Sequence, residues 1–292
     1  MRIALFLGCW IQTQQYGYEL STRATLSRLS VELVDPEGFS CCGYPLRSLN
    51  DASWFYLSAR NIAVAEEQGL DMLPLCNGCY ASLNEVKHYM DTDEVIRDRV
   101  NDALALEDLR YKGNNNIRHI LEVLHRDIGV DRIRDEVVTS LNGLVFATHC
   151  GCHALRPSEF RYTDDPEDPQ MLDDITKALG AETRYYPEKM DCCGASLIMT
   201  DYETAFKLAG AKLLSVQRRG FHGLVTNCPF CFKMYDSRQD AIGKVIHDEG
   251  LRLPVFYITQ LMGLALGLGI QDLGINFNVS PFNMVVDRVG GD

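Results

Sequence analysis

The chain has 292 residues, enough for one large domain or two of roughly 150 residues each. Hydrophobic residues make up 46% and charged residues 23%, which excludes disordered, collagen-like and coiled-coil chains. With 28 basic against 40 acidic residues and a net charge of -12, it lacks the general cationic footprint of a nucleic-acid binder.

In chain order, Arg2 to Gly8 is a short apolar run that reads as a buried β-strand ending at Cys9. It is too short for an export leader, which needs roughly 15–30 residues. Ser53 to Gln68 is amphipathic and helix-length, and Gly69 to Leu75 is a second strand-like run, ending at Cys76. Asp91 to Thr139 is charged, free of cysteine and mostly helical in character. Its turn cluster Gly113-Asn114-Asn115-Asn116 leads into the amphipathic stretch Ile117 to Leu124, and the whole segment reads as a connector. Gly143 to Thr148 is the next strand, close before Cys152, and is followed by an acidic loop from Tyr162 to Pro169. Tyr202 to Arg219 is amphipathic, and Gly220 to Thr226 is strand-like and ends near Cys228. Tyr257 to Ile270 is the longest apolar stretch, but it holds Gln260 and three glycines and falls short of the ~20 residues of a membrane span.

Strands alternating with helix-length segments imply α/β units with parallel sheets. The expected fold is therefore α/β with two similar halves, each a small parallel sheet flanked by helices. The first half is residues 1–140, including the connector from about 91, and the second is 141–292 with a C-terminal helix. Cysteines placed just after strands would lie at the carboxyl edge of each sheet, where such sheets bind ligands.

Eleven cysteines are the anomaly of the composition, and ten of them repeat. Cys9, Cys41-Cys42-Gly43 and Cys76-x-x-Cys79 form one set; Cys152, Cys192-Cys193-Gly194 and Cys228-x-x-Cys231 form the other. Cys150 is left over. An odd count excludes complete internal pairing, and a chain of this length has no need of disulfide staples. The expectation is a cytoplasmic protein whose cysteines are thiols or metal ligands. Plain buried thiols do not come as repeated vicinal pairs. A thioredoxin-like site needs one CxxC. Structural zinc takes four ligands, one fewer than each set offers. Iron–sulfur ligation fits better, because thiolates are its usual ligands. Adjacent cysteines on an extended strand point to opposite faces. Gly43 and Gly194 supply the bend that lets them converge. The tandem ferredoxin spacing is absent, and no GxGxxG follows a strand to mark a dinucleotide site.

The tandem pattern resembles the cysteine-rich CCG domain family and, over nearly the whole chain, the B subunits of heterodisulfide reductase. The stretches that carry this are Phe6-Leu7-Gly8-Cys9, Phe39-Ser40-Cys41-Cys42-Gly43-Tyr44-Pro45, Cys76-Asn77-Gly78-Cys79, Gly151-Cys152-His153-Ala154-Leu155-Arg156-Pro157, Asp191-Cys192-Cys193-Gly194, Cys228-Pro229-Phe230-Cys231 and Ile258-Thr259-Gln260-Leu261. The resemblance implies two noncubane [4Fe-4S] clusters. One would be held by Cys9, Cys41, Cys42, Cys76 and Cys79, the other by Cys152, Cys192, Cys193, Cys228 and Cys231, with Cys150 a buried or supporting thiol. It implies reduction of the coenzyme M–coenzyme B heterodisulfide between the clusters. The implied partners are the ferredoxin-like and flavin-containing subunits of heterodisulfide reductase and an upstream hydrogenase or formate dehydrogenase.

His153, beside a ligand cysteine, is the candidate proton donor, with support of a cluster sulfur as its alternative role. Arg47, Arg156 and Lys233 follow cysteine motifs and are candidates for the substrate's anionic groups. Trp10, Tyr44, Tyr80 and Phe230 flank ligand cysteines and are expected to shield them. The competing functions are electron transfer by a CCG-type module of another oxidoreductase, reduction of a different disulfide, and a set holding zinc structurally.

Overall fold

In the computed structural model, described for residues 1–160 and 163–290, the cysteine repeat corresponds to a repeat of strands. β1 (Arg2–Phe6) lies between β2 (Glu32–Val34) and β3 (Met72–Pro74), all parallel. In the second half β4 (Val145–His149) lies between β5 (Glu182–Thr183) and β6 (Gly223–Thr226), and β7 (Val255–Tyr257) extends the sheet beyond β6, again all parallel. β1 and β4 are buried along nearly their whole length because helices cover both faces. The structure is thus α/β with two similar halves. The strand-like runs at 2–8, 69–75, 143–148 and 220–226 all contain strands, whereas β2, β5 and β7 are too short to show a period.

The amphipathic stretches become matching helices, Asp51–Glu67 and Tyr202–Arg218. Each starts eight residues after the glycine of its CCG motif. Each is capped in the same way: Asn50 accepts from the Ser53 amide and Asp201 from the Thr204 amide. Such a cap is worth about 1 kcal/mol.

The connector is more closely tied to the first half than its composition suggests. Ile117 bridges Met72 in parallel, at the edge where β7 stands in the second sheet. The turn that follows is also repeated: Glu122 accepts the His119 amide, and Gln260 accepts the Tyr257 amide. The buried Glu66 carboxylate accepts the amides of Lys112 and Asn114, holding the turn cluster against the core. The expected acidic loop begins at Tyr162, outside the described residues; from its next part, Asp164 accepts the amides of Gln170 and Met171. The chain's last helix is Asn283–Val289.

The halves share one core. Helix Tyr16–Arg28 of the first packs on helix Ile258–Ala265 of the second. Small residues allow the approach: Ser21 Oγ meets Thr259 Oγ1 at 2.7 Å, and Thr25 donates to the Thr259 carbonyl. Tyr257 is stacked between Tyr18 and Phe232, with ring centroids 4.0 and 3.9 Å away. The apolar stretch 257–270 therefore resolves into the end of β7 and an eight-residue helix buried throughout. Among the described residues no helix is long and apolar enough to cross a membrane.

Candidate metal centres

All ten repeated cysteines lie beyond the carboxyl ends of the strands. Cys9 and Cys152 sit in the first helical turn after the central strand of their sheet. Cys76 and Cys228 have extended backbone and cap the N-termini of helices Asn77–Thr92 and Pro229–Ser237. At Cys228 the contact with Cys231 and the backbone amides of Cys231 and Phe230 draw the thiol below its usual range. The two CCG motifs turn as expected at Gly43 and Gly194, with φ of 79° and 77°.

These placements link the sulfurs of each set. Cys41 Sγ lies 3.6 Å from Cys9 Sγ, and Cys42 interacts with Cys41 and Cys79, which in turn meets Cys76. In the second set the links run from Cys152 to Cys192, Cys193, Cys231 and Cys228. Within each chain one member of the vicinal pair is lowered and the other raised. Hydrogen bonds from Cys41 and Cys79 hold Cys42 well below the usual thiol range, while the same contacts raise Cys41 and Cys79. Cys152 and Cys193 pull Cys192 down to about 2, and Cys193 itself is pushed up to about 12 by Cys192. Thiols this close cannot all ionise unless positive charge is placed among them. Five sulfur donors linked in a chain of neighbours thus suit a polynuclear cationic core better than a single ion. Among the described residues no three His, Cys, Asp or Glu side chains converge on a site for a single metal ion.

A second pair of glycines completes the frame. Gly8 and Gly151 precede Cys9 and Cys152 and have φ of +61° and +76°. A Cβ on Gly8 would stand 2.9 Å from Cys79 Sγ, and one on Gly151 would stand 2.8 Å from Asn77 Nδ2 and 3.4 Å from Cys231 Sγ. The Gly-Cys dipeptide is visible in both repeats, yet only the structure shows that the sulfurs need its missing side chain.

The second set opens on a cleft of about 100 Å³ at the seam of the halves, which no cysteine of the first set lines. It is lined from the first half by Tyr44 and Asn77 and from the second by Cys152, His153, Cys193 and Cys228, among others. Tyr44 Oη lies 2.8 Å from His153 Nε2, and His153 Nδ1 lies 3.5 Å from Cys152 Sγ. Desolvation raises the Tyr44 phenol above its usual value. Trp10 stacks on Phe230 at 4.9 Å, so the residue after Cys9 covers the loop between Cys228 and Cys231. Tyr80 is buried against His119 at the seam of the halves. A wider cavity, about 410 Å³, opens on the outer side of Cys9 and Cys41.

The three candidate anion-binding cations lie apart from the cleft lining. Arg47 pairs with Glu85 at 2.6 Å and rests over Trp54. Arg156 donates to the Pro166 carbonyl on an exposed loop. Lys233 borders a separate cavity with Gln15 and Asp236. Cys150 is buried, its thiol raised by desolvation, and its carbonyl accepts from Asn77 Nδ2 at 2.7 Å.

Two features escaped the sequence reading. Asn77, His119 and Asn227 form a buried triangle across the halves, with contacts of 3.0, 3.1 and 3.2 Å. Lys212 and His149 lie buried behind the second set. Their signal was available: Lys212 falls in the apolar stripe Ala205, Ala209, Leu213, Val216, where a charge is out of pattern.

Residues 3–84 and 146–236 each match the CCG family, described as a cysteine-rich domain. The chain is 34% identical over 281 residues to the B subunit of the ferredoxin/F(420)H(2)-dependent CoB-CoM heterodisulfide reductase of Methanosarcina acetivorans, covering 95% of this chain and 93% of that one. The chain belongs to the family of heterodisulfide reductase B subunits, with two CCG domains. A protein of Archaeoglobus profundus described as like the B subunits of heterodisulfide reductase is 35% identical over 99% of this chain and 98% of its own. The 8-methylmenaquinol:fumarate reductase membrane anchor of Wolinella succinogenes is 30% identical over 94% and 96%. The fold is similar to the crystal structure of a hypothetical protein from Helicobacter pylori, with a TM-score of 0.77 at 16% identity. That match covers 96% of this chain, which spans 52% of the other. Membership of this family implies an oxidoreductase and points to iron–sulfur centres on the two cysteine-rich domains.

Proposed function

We propose that this chain reduces a disulfide in the cleft between two noncubane [4Fe-4S] clusters, one on each five-cysteine set. The observation that carries this reading is that both five-cysteine sets are complete and that the second lines a cleft at the seam of the halves, where Tyr44, next to the first CCG motif, meets His153 of the other half. The overall change is a disulfide plus two electrons and two protons giving two thiols. When bound, the clusters would supply one-electron reduction and thiophilic iron.

The protein's own groups do the rest. The Trp10–Phe230 stack limits water at one side of the cleft. The Tyr44–His153 contact holds a proton at Oη or Nε2, beside the place where a thiolate leaves. Arg47, whose charge acts on Tyr44, is the anion contact, released from Glu85 when substrate enters. Arg156, on a small pocket beside Cys152, and Lys233 are the more distant candidates for the same role. The methanogen relatives' names supply the substrate, the coenzyme M–coenzyme B heterodisulfide. In this role electrons come from a hydrogenase or formate dehydrogenase, in the cytoplasm, through the flavin-containing and ferredoxin-like subunits of the complex.

The test is anaerobic iron and sulfide analysis of the purified chain, followed by thiol release from that heterodisulfide with a reduced viologen. About eight irons per chain and two thiols per disulfide are expected. Four irons with a zinc would overturn the two-cluster site. A second reading, a purely electron-transferring role, is favoured by the similarity to the fumarate reductase anchor. Under it both clusters would load and reduce while no disulfide is cleaved.

A further inference from the structure

Beneath the second cysteine set lies an ammonium group with no side-chain counter-ion in contact. Lys212 is fully buried, and its Nζ donates to the carbonyls of Asp191 and Lys189 at 2.8 and 3.1 Å. Its third neighbour is His149 Nδ1 at 2.8 Å. No carboxylate lies within ion-pairing distance of it among the described residues. The nearby Lys189 is different, since it is neutralised by Asp173 at 2.9 Å. Burial draws the Lys212 ammonium down to about 8, but Cys231, Cys193 and Cys192 act on it in the opposite direction, so its charge is felt by those sulfurs.

The first half places no charge there. Cys42 and Cys193, the caps Asn50 and Asp201, and the glycines Gly69 and Gly220 are all separated by 151 residues. The same offset sets Asn61 against Lys212. Asn61 performs the same tethering without charge: its Oδ1 accepts the Ser40 amide and its Nδ2 donates to the Cys41 carbonyl. Opposite His149, counted from the first cysteine of each set, stands the apolar Phe6. The repeat thus keeps a polar side chain that fixes the loop before the CCG motif, and in one half only that side chain is a cation.

We infer that Lys212 sets the two centres apart, making the second the more easily reduced. The physical cause is that a buried positive charge stabilises the added electron, and reduction potentials of such clusters follow local charge and burial. The inference rests on the reading of both sets as iron–sulfur centres.

The experiment is a mediator-equilibrated redox titration of the loaded wild-type chain and of Lys212→Gln and Lys212→Met, followed by electron paramagnetic resonance, with iron counted in each sample. Cys193→Ser identifies the second centre's signal. Gln keeps a donor for the loop carbonyls and lacks the charge; Met lacks both. The expected result is two separated titrations in the wild type. Both variants shift the second centre's equilibrium toward oxidised by at least tenfold, ~59 mV for a one-electron couple, and leave the first unmoved. Equal potentials in the wild type, or a wild-type potential retained by Gln, would overturn the inference while leaving the two-centre reading intact. So would loss of the second centre's iron from both variants, which would make Lys212 a support of the loop. Absence of iron from the wild type would instead remove the reading beneath it.

Discussion

Cys9 is exposed and Cys152 half-buried, although each follows the central strand of its sheet. The first set is open on its outer side to a cavity of about 410 Å³, while the second faces inward and has a buried lysine behind it. The order of the first three strands, the glycine turns and the capped helices are the same in both. The comparison teaches that the repeat preserves the backbone frame that aims the sulfurs. The side chains behind that frame have diverged, and they decide how each centre meets solvent and charge.

The comparison breaks most severely if one set is removed. Cys42→Ser or Cys193→Ser is expected to halve the iron content and abolish disulfide cleavage. Equal loss of activity from either side would show that the centres are both required. Retained activity in one variant, measured by thiol release, would reduce that set to a structural role.

Gly8→Ala and Gly151→Ala sharpen the comparison at the frame. Each forces a side chain into left-handed backbone and against a sulfur or Asn77. A cost of about 1–3 kcal/mol is expected for the backbone alone. Iron should be lost from the altered half, with the other half's spectrum retained.

Tyr44→Phe tests whether the halves cooperate in chemistry. It removes the contact with His153 and leaves the ring. A fall in kcat of about tenfold or more with KM little changed is expected if the pair delivers a proton. An unchanged kcat and pH profile would leave His153 only as a neighbour of Cys152.

The smallest effect concerns pH. His149 is buried, and desolvation, aided by Lys212, holds its pKa well below the ordinary value near 6.5. The unfolded chain therefore binds a proton that the folded chain refuses. This contribution to stability is present above about pH 6.5 and is lost as pH falls, by up to about 1.4 kcal/mol per pH unit. Denaturation midpoints at pH 7.5, 6.5 and 5.5 check it, with His149→Phe, the residue type of the first half at Phe6, expected to flatten the slope.

The cysteine sets and central strands were legible because both leave dense local signals: fixed spacings, and apolar runs buried on two faces. β5 has two residues and β7 three, too few to establish a period against their flanks. The connector's charges describe its outer face, while Ile117, His119 and Glu66's partners at 112 and 114 serve the core of the first half, to which the sequence reading assigned it. The candidate cations were chosen by nearness in sequence, which does not say which face they take: Lys233 lies within helix Pro229–Ser237 on a separate cavity, and Arg156 borders a small pocket on another side of Cys152. The Asn77–His119–Asn227 triangle joins residues up to 150 positions apart, a distance over which sequence pattern carries no pairing information.

Gly17 and Gly274 touch so closely that a Cβ on Gly274 would stand 2.6 Å from the Gly17 Cα. That contact includes no cysteine and lies between a helix near the start of the chain and a turn near its end. A chimera that joins the first half of this protein to the second half of a relative would inherit two intact ligand sets. It would also bring together helix surfaces that had never been selected against each other. The unit that must be exchanged intact is the seam, from Gly17 through Thr25 together with Thr259 through Gly274, and the cysteine repeats can be grafted only onto a seam already matched.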